Sequence, residues 1–207
     1  MLYPLANGTP DRAWIILSRR DEWCDGRDID LRYGAERFEW HNIKAAPESI
    51  FEQVREWISE GENYTLEYKR EFNKDERTVL KTVVAFANGQ GGVILLGVED
   101  DMSIHGVEHQ FPQGSLDRYK GKITDLIHSS VIPSPNYLIS HCTIDSHTVV
   151  VLQVFKGGLP PYTLRGKDGT SVVYVRRNAT TCAATPIEIR EIVLNALPDH
   201  PRNQIGR

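Results

Sequence analysis

The chain has 207 residues, 40% hydrophobic and 25% charged, which allows one sizeable core and shows no long like-charge run of the kind that marks a disordered tail. A formal net charge of -4 and a pI near 6.0 exclude an overall basic field, so a nucleic-acid role must rest on a local patch such as Lys156, Arg165, Lys167, Arg176 and Arg177, residues that an ordinary solvated surface would also explain. Three cysteines (Cys24, Cys142, Cys182) without a Cys-x-x-Cys pair argue against a disulfide framework, and no apolar run nears the roughly 18 residues of a membrane span, so the expected setting is cytoplasmic.

In chain order, residues 1–45 form an N-terminal extension or small module. Trp14-Ile15-Ile16-Leu17 reads as a buried strand, Asp21 to Asp30 as a polar, turn-like stretch, and Arg32-Tyr33 with Phe38-Glu39-Trp40 as a second strand. The main domain is expected over 46–200. Pro47 suits a first helical turn, after which Ile50, Val54, Trp57 and Ile58 share one face until Gly61 stops the helix. Thr65 to Lys69 alternates with period two, so Glu67 and Lys69 share one face of a strand and Leu66 and Tyr68 the other.

A second helix, capped by Asp75, carries Val79, Val83, Phe86 and Ala87 inward and ends at Asn88-Gly89-Gln90-Gly91-Gly92. That glycine run lacks the Lys-Ser/Thr of a P-loop and precedes a strand, so it reads as a helix stop needing positive φ. Val93 to Val98 is nearly all apolar, as in a central strand covered on both faces, and leads into Glu99-Asp100-Asp101. Ser115 caps a third helix with Leu116, Tyr119, Ile123, Leu126 and Ile127 inward. Strands follow over 137–144, 148–155 and 171–176, with turns at Asp145-Ser146 and Gly157-Gly158. Thr185, Pro186 and Glu188 then write a capping box for a closing helix. The order predicts an α/β (α+β) domain with a mixed sheet flanked by helices.

Three carboxylates draw attention. Glu62 follows the first helix, Glu67 lies within a strand, and Asp100 stands just past a buried strand whose tip is a rigid, solvent-reaching mount. If the two strands are neighbours, these acids converge, and clustered carboxylates stay ionised together around a cation such as Mg²⁺ or Mn²⁺. A metal so held would activate water against a phosphodiester, with Lys69 stabilising the developing charge. The same acids also suit plain turn chemistry, and Glu67 with Lys69 a simple ion pair.

Glu62-Asn63-Tyr64-Thr65-Leu66-Glu67-Tyr68-Lys69, then Val84-Ala85-Phe86-Ala87-Asn88-Gly89-Gln90-Gly91-Gly92, then Leu95-Leu96-Gly97-Val98-Glu99-Asp100 resemble the Schlafen AlbA-type domain. Ile104-His105-Gly106, Ile132-Pro133-Ser134-Pro135, and Pro161-Tyr162 with Tyr174-Val175-Arg176 keep the family order. The resemblance implies nucleic-acid binding, RNA (tRNA-like) in preference to DNA. It also implies a metal-dependent endoribonuclease using Glu62, Glu67 and Asp100 on Mg²⁺ or Mn²⁺, with Lys69 in the position of the family lysine. Bacterial relatives imply the alternative of a non-catalytic DNA- or ATP-binding regulatory module.

Lys69, Arg70, Arg165, Arg176 and Arg177 are the candidate phosphate contacts. ATP is not expected. Nor is zinc, because only His141, Cys142 and Cys182 fall near the family's ligand positions and a structural site needs four. The family core pairs two lobes where this chain holds one, so a homodimer is expected.

Overall fold

A computed structural model describes residues 12–19, 22–30, 49–111, 115–166 and 168–196, the first two segments by their backbone. The chain divides into two units, 1–49 and 50–207. In the first, strand β1 (Arg12–Arg19) pairs antiparallel with β2 (Glu22–Asp30), with a register shift between Leu17 and Ser18. The expected polar turn over Asp21 to Asp30 is therefore corrected to a strand from Glu22 onward, Asp21 lying outside the described residues. Pairing engages backbone groups whatever the side chains, so a well-formed β1 overrides the weak strand propensity of Asp and Gly. The expected strand at Arg32-Tyr33 and Phe38 to Trp40, the Pro47 start and the side chain of Lys167 lie outside the described residues.

The second unit opens with helix α1 (Ile50–Glu60), whose Val54 is fully buried, and Gly61 ends it at φ +75°. There follow strand β3 (Leu66–Lys69), helix α2 (Phe72–Asn88), strand β4 (Gly91–Leu96), helix α3 (Leu116–Ser130), the short strand β5 (Val131–Ile132), and strands β6 (Tyr137–Ile144) and β7 (His147–Phe155). Strands β8 (Thr163–Arg165), β9 (Ser171–Val172), β10 (Tyr174–Arg177) and β11 (Thr180–Ala183) precede the closing helix α4 (Pro186–Ala196).

The main sheet has the order β3-β4-β7-β6, with β3 and β4 parallel and the other pairs antiparallel. Alternation splits its side chains between two cores. Leu66, Tyr68, Val93, Leu95, Val149 and Val151 pack with Val54 of α1 on one face. Ile94, Leu96, Val150, Leu152 and Val154 pack with α2 and α3 on the other. Each fully buried aliphatic side chain contributes roughly 1.5–3 kcal/mol. A strand gripped from both sides makes a rigid floor for whatever its end carries. This is an α+β domain with a mixed sheet between helices.

Asp75 does not cap α2. The helix begins three residues earlier, because Phe72 is fully buried edge-on to Tyr119 and the Asp75 amide already donates to Glu71 O. The strand expected over 171–176 breaks at Val173, whose carbonyl accepts from the Ala184 amide instead. The glycine run stops α2 as expected, but its positive φ falls at Gly91 (+87°), the first residue of β4, and not at the cap residue Gly89 (φ -103°). A Cβ on Gly92 would lie 2.7 Å from the Phe86 ring and from Thr65 O. Ser115 caps α3 by accepting from the Arg118 amide, and Thr185 and Glu188 exchange hydrogen bonds at the start of α4. No helix among the described residues is long and apolar enough to cross a membrane.

Candidate functional site

Strand β3 lies at the margin of the sheet. Among the described residues its outward backbone groups meet no strand, and left open they would be a template for another chain. Side chains close them. The Tyr68 amide donates to Glu62 Oε1 at 2.8 Å, Lys69 Nζ donates to Tyr68 O at 2.6 Å, and Arg176 Nη2 donates to Leu66 O at 3.0 Å. On the inner side, Tyr68 points to α1 and its hydroxyl donates to Trp57 O at 2.6 Å.

Period two turns Glu67 and Lys69 to the opposite face, where Lys69 Nζ stands 2.8 Å from Glu67 Oε1 and 4.0 Å from Glu62 Oε1. Arg176 forms an ion pair with Glu67 Oε2, although that oxygen lacks an aligned hydrogen-bond donor. The guanidinium also donates to Asn63 O and Thr181 Oγ1 and lies over the Phe86 ring. Only 7% of the Glu67 side chain and 1% of Arg176 reaches solvent. This cluster is a buried bridge between β3 and the β10–β11 hairpin.

The parallel register sets Glu67 beside Ile94 and Lys69 beside Leu96, so Asp100 follows at the same end of the sheet. Of the groups expected to converge, Glu62 and Glu67 both face Lys69 Nζ, while Asp100 acts on Glu62 through its charge. Burial raises the Glu62 pKa most. The Tyr68 amide opposes that rise, while the charges of Glu67 and Asp100 add to it. Asp100 itself is exposed.

The metal reading fares less well. Among the described residues, no group of three or more His, Cys, Asp or Glu side chains is arranged to hold a metal ion. Two internal cations already neutralise Glu67, so the residues as they stand do not fit Mg²⁺ or Mn²⁺. His141 and Cys142 point to opposite faces of β6. His141 is exposed and its Nδ1 lies 2.9 Å from Lys120 Nζ, whereas burial pushes the Cys142 thiol up to about 11.

The candidate phosphate contacts divide. Arg176 is corrected to a buried structural residue, and Lys69 is largely occupied by the two glutamates. Arg70 is half-exposed but its Nη1 lies 2.5 Å from Glu99 Oε1. Arg177 is bound by both oxygens of Glu188. Arg165 and Lys156 are exposed. Sequence reasoning passed over a row on α2, Lys74, Arg77 and Lys81, although its i, i+3, i+7 spacing is written in the sequence.

The crystal structure of the DIP2311 protein from Corynebacterium diphtheriae is similar over 68% of this chain and 31% of its own, with 14% identity and a TM-score of 0.46. The chain thus spans about a third of that protein's length. The solution structure of the N-terminal domain of a DNA helicase RecG-related protein from Nitrosomonas europaea is similar over 67% of this chain and 96% of its own, with 19% identity and a TM-score of 0.48. No curated protein matches the sequence. A family model described as Schlafen, AlbA_2 matches residues 62–185. That span runs from the first strand-edge glutamate through the β10–β11 hairpin and covers more than half of the chain, which therefore belongs to the Schlafen AlbA_2 family.

Proposed function

We propose that this chain is a nucleic-acid-binding domain, with RNA preferred over DNA, in which the strand-edge acids hold the fold together and do not bind metal. One observation carries the non-catalytic part of this reading: both oxygens of Glu67 face cations of the chain itself, half-buried Lys69 and buried Arg176. Membership in the Schlafen AlbA_2 family supports the nucleic-acid part.

A second reading, metal-dependent cleavage of tRNA-like RNA, draws on the electrostatic proximity of Glu62, Glu67 and Asp100. It would require Glu67 to leave Lys69 or Arg176. One experiment separates the two. Transfer RNA is incubated with the protein and Mn²⁺, beside Glu67→Ala, Asp100→Asn and EDTA controls, and the same RNA is run in a gel shift. We expect a shifted band and equal RNA survival in every lane. Cleavage abolished by Asp100→Asn and EDTA would overturn the non-catalytic reading even if Glu67→Ala fails to fold. Absence of any shift would overturn the binding reading.

The working form in this proposal is a homodimer. One copy presents one lobe, and α4 leaves Ile187 70% and Leu194 53% exposed, apolar surface that a second copy would cover. Light scattering that gives the single-chain 23.5 kDa at working concentration would overturn the dimer.

A further inference from the structure

The outer face of α2 carries cations that the strand-edge cluster does not use. Lys74, Arg77 and Lys81 fall in one row because residues three and four apart share a helix face. At a rise of about 1.5 Å per residue the row is about 10 Å long. Lys74 has 75% of its side chain in solvent, and Arg77 is exposed. At the far end, Lys81 Nζ stands 5.7 Å from the centre of the Tyr174 ring, which restricts the ammonium before any ligand arrives.

The β8–β9 turn lies close by and carries its own acid, Asp168. Asp168 in that turn has its pKa lowered first by hydrogen bonds from Thr170 and also by the charge of Arg77, so the turn lies within electrostatic reach of the row. Exposed Arg165 stands at the root of the same turn.

The acids nearby are already engaged. Asp168 accepts from the Thr170 amide and hydroxyl, Glu71 lies 2.9 Å from Lys74, and Glu76 lies 2.6 Å from Lys122. Among the described residues no ion pair engages Arg77, Lys81 or Arg165.

We infer that this row, with Arg165 beside it, is the surface on which an RNA strand lays its phosphates, an inference that rests on the nucleic-acid-binding reading above. Charge favours it. Cations in a row on one helix face can neutralise the phosphates of a strand laid along them. The partner is recognised by its backbone, and the contact carries no base preference.

The test is fluorescence anisotropy with a labelled single-stranded RNA of about 20 nucleotides, titrated over a range of salt. Arg77→Glu with Lys81→Glu should weaken binding roughly tenfold and flatten the salt slope by about 1.5. Arg190→Glu, a single charge reversal on exposed α4, should leave both within about twofold of the parent. Lys81 rests on a core-edge ring, so Arg77→Gln alone serves as the gentler variant, with a slope change of about 0.7. An unchanged affinity and slope in both α2 variants, with the parent still binding, would overturn this surface and leave the binding reading intact. No salt-dependent binding by the parent would overturn both.

Discussion

Arg176 and Arg177 are neighbours on β10, yet 1% of one side chain and 48% of the other meets solvent. The alternation of a strand sends them to opposite faces. Arg176 enters the wall behind β3 and meets Glu67 together with the carbonyls of Asn63 and Leu66. Arg177 turns outward, and both oxygens of Glu188 accept from it at the start of α4. Both are arginine–glutamate pairs, but only the first has given up its water. Such a pair is hard to break from one side, because the surviving charge is stranded in a medium that solvates it poorly.

The largest expected effect follows from stranding that charge. Arg176→Met removes a buried cation and four hydrogen bonds, and leaves Glu67 with Lys69 alone. The expected loss is about 3–5 kcal/mol of unfolding free energy, read from urea denaturation. A loss no larger than that of Arg177→Met would erase the distinction between the two pairs.

Glu67→Gln is a milder break. Arg176 keeps its carbonyl and hydroxyl acceptors and the amide keeps the shape, so the expected loss is about 2 kcal/mol. In the double variant the two losses should not add, because each single change already strands the other's partner.

This part of the site was only half legible in the sequence. Period two predicts that Glu67 and Lys69 share a face and that Arg176 and Arg177 do not. It says nothing of which arginine turns inward, because that depends on β10 packing over α2 and β3, a contact between distant stretches of chain. The same limit explains β2, whose Asp- and Gly-containing stretch becomes a strand through pairing with β1. Asp75 misled for a related reason. Its type is right for a cap, but buried Phe72 sets where α2 begins. Capping at Ser115 and Thr185, helix stopping at the glycine run, and the two-faced burial of β4 depend on nearby residues, and these were readable.

Glu62 sharpens the comparison from the acid side. Its pKa is raised above 4.5, first by burial, and the Tyr68 amide only partly offsets this. A carboxyl raised on folding contributes stability that is present below its unfolded value near 4.5 and is lost as pH rises through the raised value. Glu62→Gln keeps an oxygen for the Tyr68 amide and removes the titration. Melting curves across pH should therefore show the variant gaining on the parent from pH about 4.5 upward. A gap that is flat with pH would mean that this carboxylate is no more costly to ionise folded than unfolded.

The smallest effect belongs to the exposed pair, and there the sign reverses. Glu188 is held down to about 2 from its ordinary 4.5, first by the hydrogen bond from Arg177 and then by the Thr185 amide and hydroxyl. A carboxylate lowered on folding contributes stability that is present above the ordinary value and is lost as pH falls through the lowered one. Water and salt screen both partners, so Arg177→Ala should barely move the melting temperature at neutral pH. Its clear signature is the titration of the Glu188 carboxyl by NMR. The midpoint should rise toward the ordinary range yet stop short of it, because both Thr185 donors remain at 2.7 and 2.8 Å. A midpoint unmoved by the loss of Arg177 would make Glu188 a helix cap first and an ion-pair partner only in outline, and the two arginines would then differ in whether they hold an acid at all.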